Sequence, residues 1–258
     1  MNTPKKAQTR QAKIRDMLQK KDIINIQEFC EKLDVSIATI RNDLATLEKN
    51  GYLKRVLGGA ISTEGTPRNT MYSSRVNLNK AEKKKIAEYA VTHYLRNDMT
   101  IVLDAGTTNH FIAEQILESD LSCRVITNAF NIVSLFSKVP NIEVISAGGK
   151  LDKDHNAFHD QDALYQLKKY HADIYFLSPN GIDINKMITS SAKDESEIKK
   201  FFISSAKKTV VVADYSKFGK SADYFLTNFA SITCILTDDK LDNTTYKLLS
   251  KIVKIKCI

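Results

Sequence analysis

The stretch that decides the reading runs Ser36-Ile-Ala-Thr39-Ile-Arg41-Asn-Asp43-Leu-Ala-Thr-Leu47-Glu-Lys49-Asn-Gly51-Tyr-Leu-Lys54-Arg55-Val-Leu-Gly58-Gly59-Ala60. Ile37, Ile40, Leu44 and Leu47 recur at helical spacing, which predicts a helix over 37–49 with these four residues inward. Ser36 is a natural N-cap for it. The opposite face carries Ala38, Asn42, Ala45 and Lys49, with Arg41 on its flank. Two alanines keep that face low. Such a helix enters a major groove, meets thymine methyls and lets Arg41 and Asn42 reach guanine or adenine edges. Ser36 and Thr39 sit at the helix N-terminus, where hydroxyls and free N–H groups favour a phosphate. After Gly51, residues 52–56 read as a strand, Gly58-Gly59 as a turn and Ala60-Ile61 as the start of a return strand. Lys54 and Arg55 then lie on a wing beside the DNA backbone.

Two amphipathic segments precede this stretch. Residues 7–20 place Ile14, Met17 and Leu18 on one helical face, and Ile26, Phe29, Cys30 and Leu33 follow at i, i+3, i+4 and i+7. Asp34-Val35-Ser36 has the length of the tight turn in a helix-turn-helix. Charge agrees. Of the net charge of +8 on 258 residues, five units come from residues 1–60, which hold 12 Lys and Arg against 7 Asp and Glu. The remaining 198 residues hold 26 against 23. A compact basic module on a nearly neutral body suits a head that binds a polyanion.

Other classes are disfavoured. No apolar run approaches the roughly 18 residues needed to cross a bilayer, and Met1-Asn-Thr-Pro-Lys-Lys lacks the apolar core of a secretion signal. A cytoplasmic location and no membrane partner are expected. Cysteines stand at 30, 123, 234 and 257 with no Cys-x-x-Cys pair. Cys30 and Cys234 fall within apolar patterns and read as buried thiols, so neither a disulfide framework nor a zinc site is expected.

Residues 62–79 are polar, contain Gly65 and Pro67 and show no apolar period, which marks a connector. A helix over about 80–96 follows, with Ile86, Ala87, Ala90 and Val91 inward and Lys83-Lys84-Lys85 on a solvated face. Beyond it, short apolar strands at 100–103, 124–126, 142–146, 174–177, 209–213 and 232–236 alternate with helices near 109–118, 130–138, 163–168 and 194–206. Alternation of this kind predicts an α/β domain with a mainly parallel, Rossmann-like sheet covered on both faces. The predicted organisation is a head over 1–61, a connector over 62–79 and a body over 80–258.

Small, hydroxylated and charged residues recur where five of these strands end. They are Asp104 with Gly106-Thr107-Thr108, Thr127-Asn128, Gly148-Gly149, Asn180-Gly181 with Asp183, and Asp214 with Lys217. In open α/β sheets the carboxyl edge is where ligands bind. Gly106-Thr107-Thr108 opens a helix, so its N–H groups and hydroxyls suit a phosphate. Lys199 and Lys217 are available as counter-charges, and Asp104, Asp183 and Asp214 as acceptors for sugar hydroxyls. His155 and His159 lie four apart among Asp152, Asp154 and Asp160, which is metal-ligand spacing on a helix. Asn156, Ala157 and Phe158 do not build a clear helix there. The expectation is a mobile polar loop over the pocket, with no metal and no cofactor.

The run Val35-Ser36-x-x-Thr39-Ile40-Arg41-x-Asp43-Leu44-x-x-Leu47-Glu48-x-x-Gly51-x-Leu53-x-Arg55-x-x-Gly58-Gly59-Ala60 resembles the N-terminal signature of the DeoR family of bacterial transcriptional regulators. Asp104-x-Gly106-Thr107-Thr108, Thr127-Asn128, Gly148-Gly149, Gly181-Ile182-Asp183, Glu197-x-Lys199 and Asp214-x-Ser216-Lys217-Phe218-Gly219 look like that family's sensor motifs. The resemblance covers about residues 10–240. It implies a winged helix-turn-helix followed by a sensor domain similar to ribose-5-phosphate isomerase, which binds a phosphorylated metabolite. Gly106–Thr108 would hold the phosphate, and Lys199, Asp214 and Lys217 would line the effector pocket.

The departures are informative. Asn42 stands where a second arginine is common and Leu57 where histidine is common. Ala105 replaces a frequent glycine, Ser178-Pro179-Asn180 replaces Gly-Ala-Asp, and His159 replaces a glycine. Asn42 implies a distinct base preference, and Leu57 puts a wing contact in doubt. The function expected is a transcriptional regulator, chiefly a repressor of carbohydrate-metabolism genes. Its partners would be double-stranded operator DNA and a phosphorylated sugar or related effector, and it would act as a homodimer or homotetramer. The rival is a sugar-phosphate isomerase-like enzyme with a DNA-binding head. Asn180 cannot serve as a carboxylate base, which weighs against that rival.

Overall fold

A computed structural model describes residues 3–20, 23–50, 52–56, 58–62, 72–185 and 187–258. The chain forms two compact units, Met1–Arg75 and Val76–Ile258. Leu57, Gly51 and residues 63–71 of the expected connector lie outside the described residues.

In the first unit, helix α1 (Thr3–Lys20) leads to β1 (Ile23–Asn25), α2 (Ile26–Leu33), α3 (Ile37–Lys49), β2 (Leu53–Val56) and β3 (Gly59–Ser62). Asn25 caps α2 by accepting from the Glu28 N–H at 2.8 Å. Asp34, with φ +51°, makes the turn, and Ser36 caps α3 by accepting from the Thr39 N–H at 3.3 Å. Ile14, Leu18, Ile24, Phe29, Ile40, Leu44, Leu47, Leu53 and Ala60 form the core.

Two expectations change. Ile37 is 49% exposed, because the buried face of α3 begins one turn later and runs Ile40, Asp43, Leu44, Leu47. Cys30 is only half-buried. The wing also gains a strand: β3 pairs with both β2 and β1. Gly59 is required there, since a Cβ would sit 2.3 Å from the Ile24 carbonyl oxygen of β1.

The second unit is a three-layer α/β/α body. After α4 (Tyr72–Asn77), which forms inside the expected connector, come α5 (Lys80–Tyr94), β4 (Thr100–Leu103), α6 (Thr107–Leu117), β5 (Cys123–Thr127), α7 (Phe130–Phe136) and β6 (Ile142–Ser146). A short hairpin follows, β7 (Leu151–Asp152) and β8 (Ala157–Phe158), then α8 (Gln161–Leu167) and β9 (Ile174–Leu177). The rest is β10 (Gly181–Asp183), β11 (Met187–Ser190), α9 (Lys193–Ser205), β12 (Thr209–Val212), β13 (Tyr224–Thr227), β14 (Cys234–Thr237), α10 (Asn243–Leu249) and β15 (Ile255–Cys257).

The main sheet is parallel throughout and runs β15-β14-β12-β9-β4-β5-β6. Alternate strand residues divide between two cores, as the pleat requires. Ile101, Leu103, Val125 and Phe176 pack with Ile86, Ile112 and Ile132 of α5, α6 and α7. Val102, Ile126, Leu177 and Val211 pack with Leu167, Phe202 and Leu249 of α8, α9 and α10. A separate antiparallel sheet runs β10-β11-β13. Numbered by their sequence order within the sheet, the parallel strands run 3-2-1-4-5-6-7. The order reverses between β4 and β9, which opens a crevice at their carboxyl ends.

Candidate functional site

On the head, Ser36, Ala38, Arg41, Asn42, Lys49, Lys54 and Arg55 are exposed, and Thr39 and Ala45 are half-exposed. The nine expected DNA-contacting residues thus all reach the surface of α3 or the wing. Arg55 is not idle. Its Nε lies 2.6 Å from Glu48 Oε2, and its backbone N–H donates to Glu48 Oε1 at 2.8 Å. These two bonds hold the Glu48 carboxyl below the usual carboxylate range. Sequence reasoning missed Asp43, which is buried on the inner face of α3. It accepts from the Arg10 guanidinium and from Gln11 Nε2 at 3.0 Å, so it fastens α3 to α1. The signal was available, since Asp43 falls at the helical spacing of Ile40 and Leu47.

In the body, Asp104 ends β4 at the crevice and is fully buried. Its Oδ2 accepts from Tyr175 Oη at 2.5 Å and from Lys199 Nζ at 2.5 Å. Its Oδ1 accepts from Asn109 Nδ2 at 2.7 Å. Lys199 also donates to the Ser178 carbonyl at 2.9 Å and lies 3.3 Å from Glu195 Oε1. An ammonium has three protons, and all three are engaged. Burial alone pushes the Lys199 ammonium down, but the Asp104 and Glu195 carboxylates override it and hold it above the usual lysine range. Burial, reinforced by Asp104, pushes the Tyr175 phenol well above its ordinary value. Lys199 is therefore not a spare counter-charge. It lies beneath the rim and fixes Asp104, whose Oδ2 takes two donors and whose Oδ1 takes one.

Three other features face this cluster. A Cβ on Gly106 would sit 2.2 Å from Ser178 Cβ, so only glycine lets the loop opening α6 lie against the end of β9. Asn109 donates through Nδ2 to both Asp104 and the Phe176 carbonyl, which fixes its amide orientation. Its buried Oδ1 is then left without a partner among the described residues. Asn180 Oδ1 accepts from the Ser191 N–H at 3.2 Å and Ser190 Oγ at 3.3 Å. The single Ser190 proton is shared between that oxygen and Glu195 Oε2, which is nearer at 3.0 Å.

The remaining expected residues lie further out along the same edge. Thr127 Oγ1 donates to the Leu103 carbonyl at 2.6 Å and locks β5 to β4. Asn128 Nδ2 donates to the Phe158 carbonyl at 3.1 Å, and its buried Oδ1 has no partner among the described residues. Gly148 and Gly149 both have positive φ, at +65° and +96°. Gly181 packs against the Lys220 carbonyl, 2.5 Å from where a Cβ would stand. Asp183 accepts from the Asn185 N–H at 2.8 Å and shapes the β10–β11 turn.

Asp214 is buried and accepts from Asn79 Nδ2 at 2.8 Å and from the Ser216 N–H at 3.1 Å. Burial raises its pKa, but the charges of Lys217 and Lys83 with the Ser216 and Asn79 bonds bring it below the usual range. Lys83, expected on a solvated face, is buried and donates to the Leu78 carbonyl at 2.5 Å. Strands lie about 4.8 Å apart, so the four spacings from β6 to β12 span about 19 Å. A small sugar phosphate does not reach both ends, and the β4–β9 crevice is the central place on the edge.

Within the expected mobile polar loop, residues 151–158 form the β7–β8 hairpin, and His159 follows it. That hairpin brings Asp152, His155 and His159 together.

Residues 10–66 match the model of the DeoR-like helix-turn-helix domain, and residues 78–239 match that of the DeoR C-terminal sensor domain. The chain belongs to the DeoR family. It is a DNA-binding transcriptional regulator with a sensor domain. Among curated DeoR-family relatives, the HTH-type transcriptional regulator GolR of Listeria innocua is 32% identical, covering 92% of this chain and 93% of that protein. The HTH-type transcriptional repressor GlcR of Bacillus subtilis is 31% identical over 90% and 88%. The L-fucose operon activator of Haemophilus influenzae is 31% identical over 88% and 89%. Solved structures that superpose on this regulator include ribose 5-phosphate isomerase from Plasmodium falciparum, at 20% identity and a TM-score of 0.37 over 53% of this chain and 52% of that one. That superposition is too loose to assign a site. No helix among the described residues of this DeoR-family chain is long and apolar enough to cross a membrane.

Proposed function

We propose that this regulator represses carbohydrate-metabolism genes, and that a phosphorylated sugar or related metabolite bound in the β4–β9 crevice changes its affinity for operator DNA. The observation that carries the reading is the approach of Gly106 to Ser178. A Cβ on Gly106 would also stand 3.1 Å from Asp104 Oδ1, so the loop that opens α6 at Thr107 and Thr108 runs close to the buried Asp104–Lys199 pair. The α6 N-terminus suits the phosphate, and the orphaned Asn109 Oδ1 suits a sugar hydroxyl as donor. Ser36, Ala38, Thr39, Arg41, Asn42, Ala45, Lys49, Lys54 and Arg55 form the operator-reading face, and two or four copies engage repeated half-sites.

The switch is thermodynamic linkage. An effector that prefers the conformation with weak DNA affinity lowers operator binding by the ratio of its affinities for the two states. The site does not carry out isomerisation, because Asn180 supplies an amide engaged with Ser191 rather than a base. As a reader of chromosomal operators the protein works in the bacterial cytoplasm. The test is fluorescence anisotropy of the adjacent promoter with a panel of sugar phosphates at fixed, moderate salt. The reading predicts one sugar phosphate that shifts the operator Kd and a Gly106→Ala variant that still binds DNA but no longer responds. An operator affinity indifferent to the whole panel would count against it.

A further inference from the structure

The β7–β8 hairpin carries a cluster that the sensor reading does not use. Asp152 ends the first strand, His155 lies in the turn and His159 follows the second strand. Asp152 Oδ1 is fixed by the N–H groups of Asp154 at 2.8 Å and His155 at 3.1 Å. That leaves Oδ2 between two imidazoles, 2.9 Å from His155 Nδ1 and 3.0 Å from His159 Nε2. The three ligating atoms lie within 4.8 Å of one another. The two histidine side chains are only 12% and 13% exposed.

Within the protein the His159 ring is held through Nε2 alone, since its Nδ1 is buried with no partner among the described residues. One carboxylate oxygen serving two imidazole nitrogens is also the constellation left when a cation that three ligands share is taken away. Ligands about 2.0–2.1 Å from a tetrahedral metal stand about 3.3–3.4 Å apart, so each nitrogen–oxygen distance has to open by only a few tenths of an ångström. The anchored Oδ1 supplies the outer-shell support that keeps a ligating carboxylate in place. Two imidazoles and one carboxylate are donors for divalent zinc, cobalt, nickel or iron rather than for calcium or magnesium.

We propose that Asp152, His155 and His159 bind one divalent transition-metal ion of the zinc class, leaving at least one coordination position open. Its setting gives it a consequence. The Phe158 N–H donates to the Asn128 carbonyl at 2.8 Å, and the Phe130 N–H donates to the Asn156 carbonyl at 3.0 Å. A metal held by the hairpin therefore steadies its two bonds to the loop that follows β5. This inference does not depend on which effector the β4–β9 crevice takes.

The experiment is a titration of the tag-free, chelator-treated full chain with Co2+, read by its visible d–d absorption. The expected result is one saturable equivalent, displaced by Zn2+, and a rise in melting temperature with Zn2+. Affinity should fall by more than about 100-fold in His155→Gln and in His159→Gln, beyond what outer-shell changes cost. His171→Gln, on an exposed histidine outside the cluster, should bind as wild type does. Circular dichroism confirms that the variants are folded. The proposal is overturned if the wild-type chain shows no saturable Co2+ absorption, or if the folded His155→Gln/His159→Gln variant binds the metal equally well.

Discussion

Asn79 and Asp214 are 135 residues apart in the chain, yet Asn79 Nδ2 donates to Asp214 Oδ1 at 2.8 Å. Asn79 adopts a left-handed backbone, φ +49°, immediately before α5. The bond ties the first turn of the sensor domain to the carboxyl end of β12. Replacing Asn79 with Ala should cost about 1–3 kcal/mol, because it removes a bond to a buried charge. Urea unfolding measures the loss, and the variant should also respond less to effector in the anisotropy assay.

Asp214 makes stability depend on acid. Folding lowers its pKa, so its charged form favours the folded state. That contribution is full above the ordinary aspartate value of about 3.9 and drains away as pH falls toward the lower folded-state value. The stability gap between the wild type and Asp214→Asn should shrink as pH falls from about 4 toward 3. A gap that stayed constant across that range would contradict the assignment.

A single ammonium, that of Lys199, pairs with two buried carboxylates, Asp104 and Glu195. Lys199→Met takes the buried ammonium away from both and should cost about 3–5 kcal/mol. The double variant Lys199→Met/Asp104→Asn should cost less than the sum of the two single changes, because the partner charge leaves with the ammonium. Additive losses in urea unfolding would mean that the pair is not coupled.

Gly106→Ala drives a Cβ to 2.2 Å from Ser178 Cβ. The loop must shift, at about 1–3 kcal/mol by the usual cost of overpacking. Ser178→Gly on the same chain removes the obstructing atoms and should return much of the stability lost. The recovery isolates the close approach as the reason for glycine at this position.

Two changes on the head separate reading from holding. Asn42→Ala should leave the melting temperature unchanged and reduce discrimination at one operator position by about 1–3 kcal/mol. Lys54→Ala should weaken binding to all sequences alike and lower the slope of log K against log salt by about 1. Asp43→Ala should instead destabilise the head, since it releases Arg10 and Gln11 of α1.

Much of the parallel sheet is legible in sequence because buried strands such as Thr-Val-Val-Val at 209–212 read as unbroken apolar runs. The hairpin at 151–158 is not legible, since two-residue strands have no period to detect. The strands of the β10-β11-β13 sheet, Gly-Ile-Asp, Met-Ile-Thr-Ser and Tyr-Phe-Leu-Thr, mix polar residues into three or four positions and give no comparable apolar run. At the sheet edge the residue types are legible but their partners are not. Lys199 reads equally well as a ligand contact or as an internal cation until Asp104, Glu195 and Ser178 are seen to use its protons. Ile37 misleads because a helical period does not say at which turn burial begins.

The Asp104–Lys199 bond closes a loop of 95 residues, whereas the Arg10–Asp43 bond in the head closes one of 33. Loops of unequal length close in unequal time, and synthesis delivers the N-terminal domain first. During synthesis the DNA-reading head therefore matures while the crevice is still missing its lysine. A chain broken off ahead of residue 199 would carry the DNA-reading head without the lysine that fixes Asp104. Frameshifts and stop codons in the second half of this gene should thus differ in phenotype from deletion of the whole gene.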